Sequence, residues 1–181
     1  AAVAAQAAKE LAKVPVYDLI ESTADYTASN FSRVGVVATS TTCRRKAFSN
    51  AIQERNSNCL VKNIPAPDLV PLVETGNFDG PLVEETIRKY ADELRAFNAE
   101  AMIFGCTHFP FLRKAFSKLL PDIRFIDPAV HLSDTLFRSQ SQFAPCDKNG
   151  AKENFGKNAY FTTGSAEAFA KGAELCLELS P

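Results

Sequence analysis

This sequence predicts an α/β fold built on a parallel sheet, and three observations carry the prediction. Short apolar, β-branched runs alternate along the chain with longer amphipathic ones. The short runs are almost continuously apolar, as strands covered on both faces are. The composition is that of an ordinary globular chain, with 46% hydrophobic and 23% charged residues among 181. Twenty Lys and Arg face 21 Asp and Glu, a net charge of −1, which argues against a basic nucleic-acid-binding domain. No apolar run approaches the roughly 20 residues that cross a bilayer.

The chain opens on AAVAAQAAKELAK, without the basic start or Leu-rich centre of a signal peptide. Alanine's propensity predicts a helix already under way at residue 1, one that needs a surface to pack on. VPVYDLI (14–20) and RVGVVAT (33–39) predict the first two strands. Over 40–56 a helix puts Ala47, Phe48, Ala51 and Ile52 on one side, with Arg44, Arg45 and Lys46 opening its solvated face. CLVKNI (59–64) is the next strand, and APDLVPLVETGNFDGP (66–81) reads as a loop carrying Glu74. Over 81–97, Leu82, Val83, Ile87, Tyr90 and Leu94 recur at helical spacing, with Glu84 and Arg88 as an i,i+4 ion pair. AEAMIFG (99–105) is a strand, and FPFLRKAFSKLL (109–120) a helix with Pro110 in its first turn and Pro121 beyond its end. IRFID (123–127), a polar loop over 139–158, AYFTT (159–163) and an amphipathic helix over 165–179 complete the pattern. The single methionine, Met102, lies in mid-chain, and the expectation is a piece of a longer protein.

In parallel α/β sheets, ligand-binding groups gather where strands run into helices. The strand 33–39 runs into Thr39-Ser40-Thr41-Thr42, hydroxyls suited to capping a helix or to holding an anion there. The strand 99–105 runs through Gly105 into Cys106-Thr107-His108 at the start of a helix. A helix start and a neighbouring imidazolium both favour a thiolate, which can act as nucleophile or as carbon-acid base. The bland alternative is a buried cysteine, a capping threonine and a satisfied histidine. Cys43, Cys59, Cys146, Cys176 and His131 form no constellation with metal-ligand spacing, so no metal is expected and these thiols read as apolar fillers. An odd number of cysteines without a CxxC pair suits a reducing cytoplasm. Glu74 on local evidence is a solvated turn carboxylate.

Taken together, these segments resemble the glutamate racemases of the aspartate/glutamate racemase superfamily. AMIFGCTHFP is similar to the second cysteine motif of that family, VPVYDLIE to its crossover strand and VGVVATSTT to a substrate loop. LVPLVETG, FIDPA and YFTTGS match later segments in order, so the resemblance runs along essentially the whole chain. Aspartate racemases carry a glutamate where His108 stands, which favours the glutamate branch. Ala38, Thr75 and Pro128 depart from the usual glycine, acidic residue and serine.

The resemblance implies two Rossmann-like parallel-sheet α/β domains of the racemase type, the first of them incomplete here. Residues 21–128 would form a nearly whole second domain, and 1–20 with 129–181 the remnant of the first. It implies a cofactor-independent reaction in which two cysteines face the two sides of the substrate's α-carbon and convert L-glutamate to D-glutamate for peptidoglycan. Cys106 would be the second of these, with Thr107, His108, Thr39 and Thr42 binding substrate and Glu74 supporting His108. The first cysteine would lie upstream of Ala1, so the chain alone is expected to be inactive. The expected partner is the small-molecule substrate, without nucleic acid or membrane, and a homodimer stays open. Three rival readings remain: a racemase for aspartate or another amino acid, a thiol-dependent acyl-transfer enzyme, and a catalytically silent domain that binds an amino acid or a partner.

Overall fold

A computed structural model describes residues 5–139 and 161–177, which group into two units divided between residues 134 and 135. In the first unit four parallel strands stand in the order β2-β1-β3-β4: β1 Arg33–Ala38, β2 Leu60–Pro65, β3 Ala101–Gly105 and β4 Arg124–Ile126. The two central strands, β1 and β3, are almost wholly buried, which is why they read as unbroken apolar runs. At the edge, β2 keeps Leu60 exposed and Val61, Lys62 and Asn63 half-buried.

Alternation along the strands sorts the core into two layers. Val37, Met102 and Phe104 point to one face, against α5 (Leu69–Glu74), α6 (Pro81–Ala96) and α7 (Arg113–Leu119). Val34, Val36, Ala38, Ala101 and Ile103 point to the other, against α2 (Leu19–Asn30), α3 (Ser40–Arg45) and α4 (Ala47–Arg55). Each large apolar side chain so buried contributes about 1.5–3 kcal/mol. Gly35 in β1 leaves room for α6, because a Cβ there would lie 2.0 Å from Leu94 Cδ2.

The chain leaves β1 for β2 on one side and then crosses back to β3 on the other. The order of strands therefore reverses between β1 and β3, and their carboxyl ends flank the opening where such sheets bind ligands.

The structure redraws several elements. Residues 14–18 pair with no strand, and the apolar residues Leu19 and Ile20 open α2 instead. Asp18 starts this helix by accepting the Ile20 N–H at 2.8 Å. Thr23 and Thr27 are buried on its inner face, and their hydroxyls donate to the carbonyls of Leu19 and Thr23. Tertiary packing on α4 thus overrides a polar sequence with weak helix propensity. The helix expected over 40–56 is two helices, broken at Lys46, which adopts φ 52° and ψ 30°. Glu74 lies not in a loop but at the end of α5. The 109–120 helix starts as a 3-10 turn, Phe109–Leu112, and becomes α-helical at Arg113. Glu84 pairs with Lys118 at 2.9 Å, not with Arg88, and so ties α6 to α7.

The first helix, α1 (Ala5–Leu11), keeps Leu11 exposed, and the following Val14 is exposed too. An unforeseen helix, α8 (Pro128–Ser139), follows β4. In the second unit α9 (Ala166–Leu177) forms where the last helix is expected, with Ser165 Oγ accepting the Ala168 N–H at 3.2 Å. Of the strand expected over 159–163, residues 161–163 are described and are not in a strand; 159–160, the loop over 140–158 and Cys146 lie outside the described residues.

Candidate active site

Ala38 pairs with Gly105 at the carboxyl ends of β1 and β3, so the next residues, Thr39 and Cys106, leave the sheet side by side. What brings the strands this close is Gly105, where a Cβ would sit 2.6 Å from Ala38 Cβ and 3.1 Å from the Val37 carbonyl oxygen. The close approach that this glycine permits is thus to β1. Beyond the two ends lies a cavity of about 450 Å3.

Thr39 caps α3, its Oγ1 accepting the Thr42 N–H at 3.4 Å and lying 3.1 Å from Thr42 Oγ1. Both threonines line the cavity, whereas Thr41 faces solvent and accepts a bond from Arg44. Cys106 and Thr107 line the same cavity. Cys106 is half-buried, and its carbonyl accepts the Phe109 N–H at 3.1 Å, which starts the 3-10 turn. No α-helix begins at Cys106, so the expected dipole of a helix start does not act on its thiol at close range.

A neighbouring ring is in contact with it instead. His108 Nδ1 lies 3.8 Å from Cys106 Sγ, and His108 Nε2 lies 3.6 Å from Glu74 Oε1. Glu74, His108 and Cys106 therefore form a row from the end of α5 to the end of β3. With Nε2–H toward the carboxylate, Nδ1 presents a lone pair to the thiol proton. The side chains of His108 and Glu74 are 37% and 62% exposed, so their pairing positions the ring without adding much stability.

Apolar walls complete the cavity. Leu19 and Ile20 come from α2, Phe48 from α4, and Phe104 from β3. Phe111 of the 3-10 turn lines it too and stacks on Phe78 with centroids 5.5 Å apart. Asp127, Pro128 and Ala129 supply another edge at the start of α8. Sequence reading missed Leu19 and Ile20 because it placed them in a strand. The Asp127-Pro128 pair after β4 carries a readable signal, an acidic cap followed by proline at the first helical position.

The remaining soft side chains lie elsewhere. Burial pushes the Cys43 thiol up, outweighing a backbone hydrogen bond at Ala38, and burial with the Glu100 charge pushes Cys59 up. His131 stacks on Tyr26 at 4.1 Å, and burial pulls its pKa down against the charges of Asp134 and Asp127. Among the described residues no group of three or more His, Cys, Asp or Glu is placed to hold a metal. No helix among them is long and apolar enough to cross a membrane.

Residues 1–133 match the family model described as Asp/Glu/Hydantoin racemase. The chain is 37% identical to a glutamate racemase of Desulforudis audaxviator over 167 residues, 87% of this chain and 60% of that protein. It is 34% identical to one from Prochlorococcus marinus, over 99% of this chain and 67% of that protein. Among solved structures, glutamate racemase of Francisella tularensis in complex with D-glutamate superposes with a TM-score of 0.80 and 28% identity. That match covers 98% of this chain and 66% of the other. The chain thus spans about three fifths to two thirds of the length of these similar proteins.

Proposed function

The chain belongs to the Asp/Glu/hydantoin racemase family, and on that premise we propose that the protein carrying it interconverts L- and D-glutamate with Cys106 as one of two acid–base groups. The observation that carries this reading is that Cys106 lines the same cavity as Thr39 and Thr42, at the strand reversal between β1 and β3.

Racemisation breaks the Cα–H bond on one face and forms it on the other. The Cys106 thiolate takes the α-proton, the C–H electron pair passes into the adjoining carboxylate, and an opposed thiol returns a proton to the other face. In the reverse direction the roles exchange, so atoms and charge balance over the cycle. The barrier is the carbanion. Hydroxyl donors already aimed at the carboxylate stabilise its growing charge, most strongly in a cavity with dry walls. Thr39 and Thr42 supply those donors, and Phe48, Phe104, Leu19 and Ile20 supply the walls. Thr107 lines the substrate's side of the cavity, and His108, held by Glu74, orients the thiol and moves its proton.

Cys106 is the one cysteine lining this cavity among the described residues. We place the opposed thiol outside the 181 residues, on the first of two α/β domains, to which 1–20 and 129–181 contribute while 21–128 form the second. D-Glutamate would then serve peptidoglycan synthesis in the cytoplasm. The test is L-glutamate in deuterium oxide with the whole protein. D-Glutamate carrying deuterium at the α-carbon is expected, and Cys106→Ser is expected to slow its formation about 10²–10⁴-fold. The 181-residue chain alone should leave the optical activity unchanged. Unaltered turnover by Cys106→Ser would refute the reading.

A further inference from the structure

Between Cys106 and Phe111 the chain carries the thiol, the histidine and two more residues of the cavity lining, Pro110 and Phe111. A short 3-10 turn holds this stretch, with the Phe109 N–H donating to the Cys106 carbonyl at 3.1 Å and the Phe111 N–H to the His108 carbonyl at 3.3 Å. Hydrogen bonds in such turns are poorer in geometry than those of an α-helix, so side-chain contacts must fix its register. Residues three apart eclipse each other there, which puts Phe109 and Leu112 on one side and His108 and Phe111 on another. The first pair is fully buried in the core. Phe111 is 36% exposed, so burial alone does not hold its ring.

One stretch of chain meets both members of the second pair. Glu74, the last residue of α5, lies 3.6 Å from His108 Nε2, and Phe78, four residues on, stacks on Phe111 with centroids 5.5 Å apart and planes at 26°. Phe78 is tied down on either side. The Asn77 N–H donates to the Leu72 carbonyl at 2.9 Å, and the Asp79 carboxylate accepts Lys118 Nζ at 2.6 Å and pairs with Lys114 Nζ at 3.0 Å, both on α7. The ring thus reaches Phe111 from an anchored backbone. We propose that Phe78 is a positioning residue for proton transfer: through Phe111 it fixes the register of the turn that carries Cys106 and His108. This rests on the racemase reading and deepens it. Without the ring behind Phe111 the turn is free to roll, which changes the separation of Cys106 Sγ and His108 Nδ1, now 3.8 Å. Proton transfer tolerates little such displacement.

Filling the core is the competing role, since Phe78 also packs against the layer under α5, α6 and α7. Phe78→Leu and Phe78→Met keep an apolar side chain there and remove the stacking ring, whereas Phe78→Tyr keeps the ring. In the whole protein, Leu and Met are expected to lower kcat for L-glutamate about 3–10-fold, the usual worth of an aromatic pair, and to leave KM within about twofold. Tyr should return kcat to within about twofold of wild type. With Phe111→Ala already in place the ring has nothing to act through, and Phe78→Leu should lower kcat by no more than about twofold further. A role in filling alone lowers the urea midpoint and spares the kcat of the folded protein. Wild-type kcat in folded Phe78→Leu or Phe78→Met would therefore overturn the proposal. So would an undiminished loss in Phe78→Tyr, or an equal loss in the Phe111→Ala background. If the wild-type whole protein does not interconvert the glutamate enantiomers, the racemase reading falls first and this inference falls with it.

Discussion

Gly105→Ala is the substitution that links the sheet most directly to the cavity. The glycine has no left-handed φ, so alanine is allowed by the backbone and the obstacle is purely one of space. Its new Cβ would sit 2.6 Å from Ala38 Cβ, 3.1 Å from the Val37 carbonyl oxygen and 3.2 Å from Val36 Cγ1. None of these is the end of a flexible side chain, so relief requires β3 to move away from β1 by about 1 Å, the difference from ordinary packing contact. Two contributions to stability oppose each other. Alanine restricts the unfolded chain and gains about 0.4–1 kcal/mol. Overpacking a rigid core costs about 1–3 kcal/mol. The expected net loss is about 1–2 kcal/mol, read from urea unfolding followed by circular dichroism. Because Thr39 and Cys106 are the next residues after the paired Ala38 and Gly105, the shift also separates thiol from hydroxyls. On the racemase reading, a misplacement of this size is expected to lower proton transfer in the whole protein about 100-fold, measured as α-proton exchange with solvent. A variant as stable as wild type with unaltered exchange would refute the claim that Gly105 sets the spacing of the site.

Two further outcomes follow from the same structure. Lys46→Gly relieves a left-handed backbone at the α3–α4 break, where φ is 52° and the side chain is exposed. The relief exceeds glycine's extra entropy by about 0.5–1 kcal/mol, visible as a higher urea midpoint at constant slope. Asp68 governs part of the acid response: burial alone would raise its carboxyl, but hydrogen bonds from Lys89 Nζ at 2.6 Å and from the Tyr90 hydroxyl outweigh it and hold the pKa below its ordinary value. A depressed folded pKa gives stability that is present above the unfolded value of about 4 and is lost as pH falls through the folded one. Asp68→Asn should therefore flatten the fall in stability below pH about 4, and parallel curves for the two proteins would contradict it.

Much of this molecule is legible in its sequence because local and tertiary preferences agree there. The buried strands β1 and β3 are apolar on both faces, and α6 repeats its buried Val83, Ile87, Tyr90 and Leu94 at helical spacing. The candidate cluster Cys106-Thr107-His108 is legible too, as adjacent residues after a strand. Legibility fails where the two preferences part. The run 14–20 is apolar enough for a strand, yet Asp18 caps the chain there and α2 buries Ile20, Ala24 and Thr27 against α4. The break at Lys46 leaves no mark in composition, since Arg44, Arg45 and Lys46 are all exposed and tolerate either path. Leu69 and Val73 look like part of a loop until the sheet offers them a surface.

By itself, the sequence determined the alternation of strands and helices, the parallel sheet, the family and the thiol at the centre of the proposed site. Those features are written in short-range order, in burial patterns and adjacent motifs. Tertiary structure alone decided what surrounds Cys106. Glu74 lies 32 positions before it and Asp127 21 positions after it, and no local preference couples them. Glu74 reaches the thiol only through His108, and Asp127 lines the same cavity as Cys106, because β2 and β4, which lead to them, flank β1 and β3 in one parallel sheet.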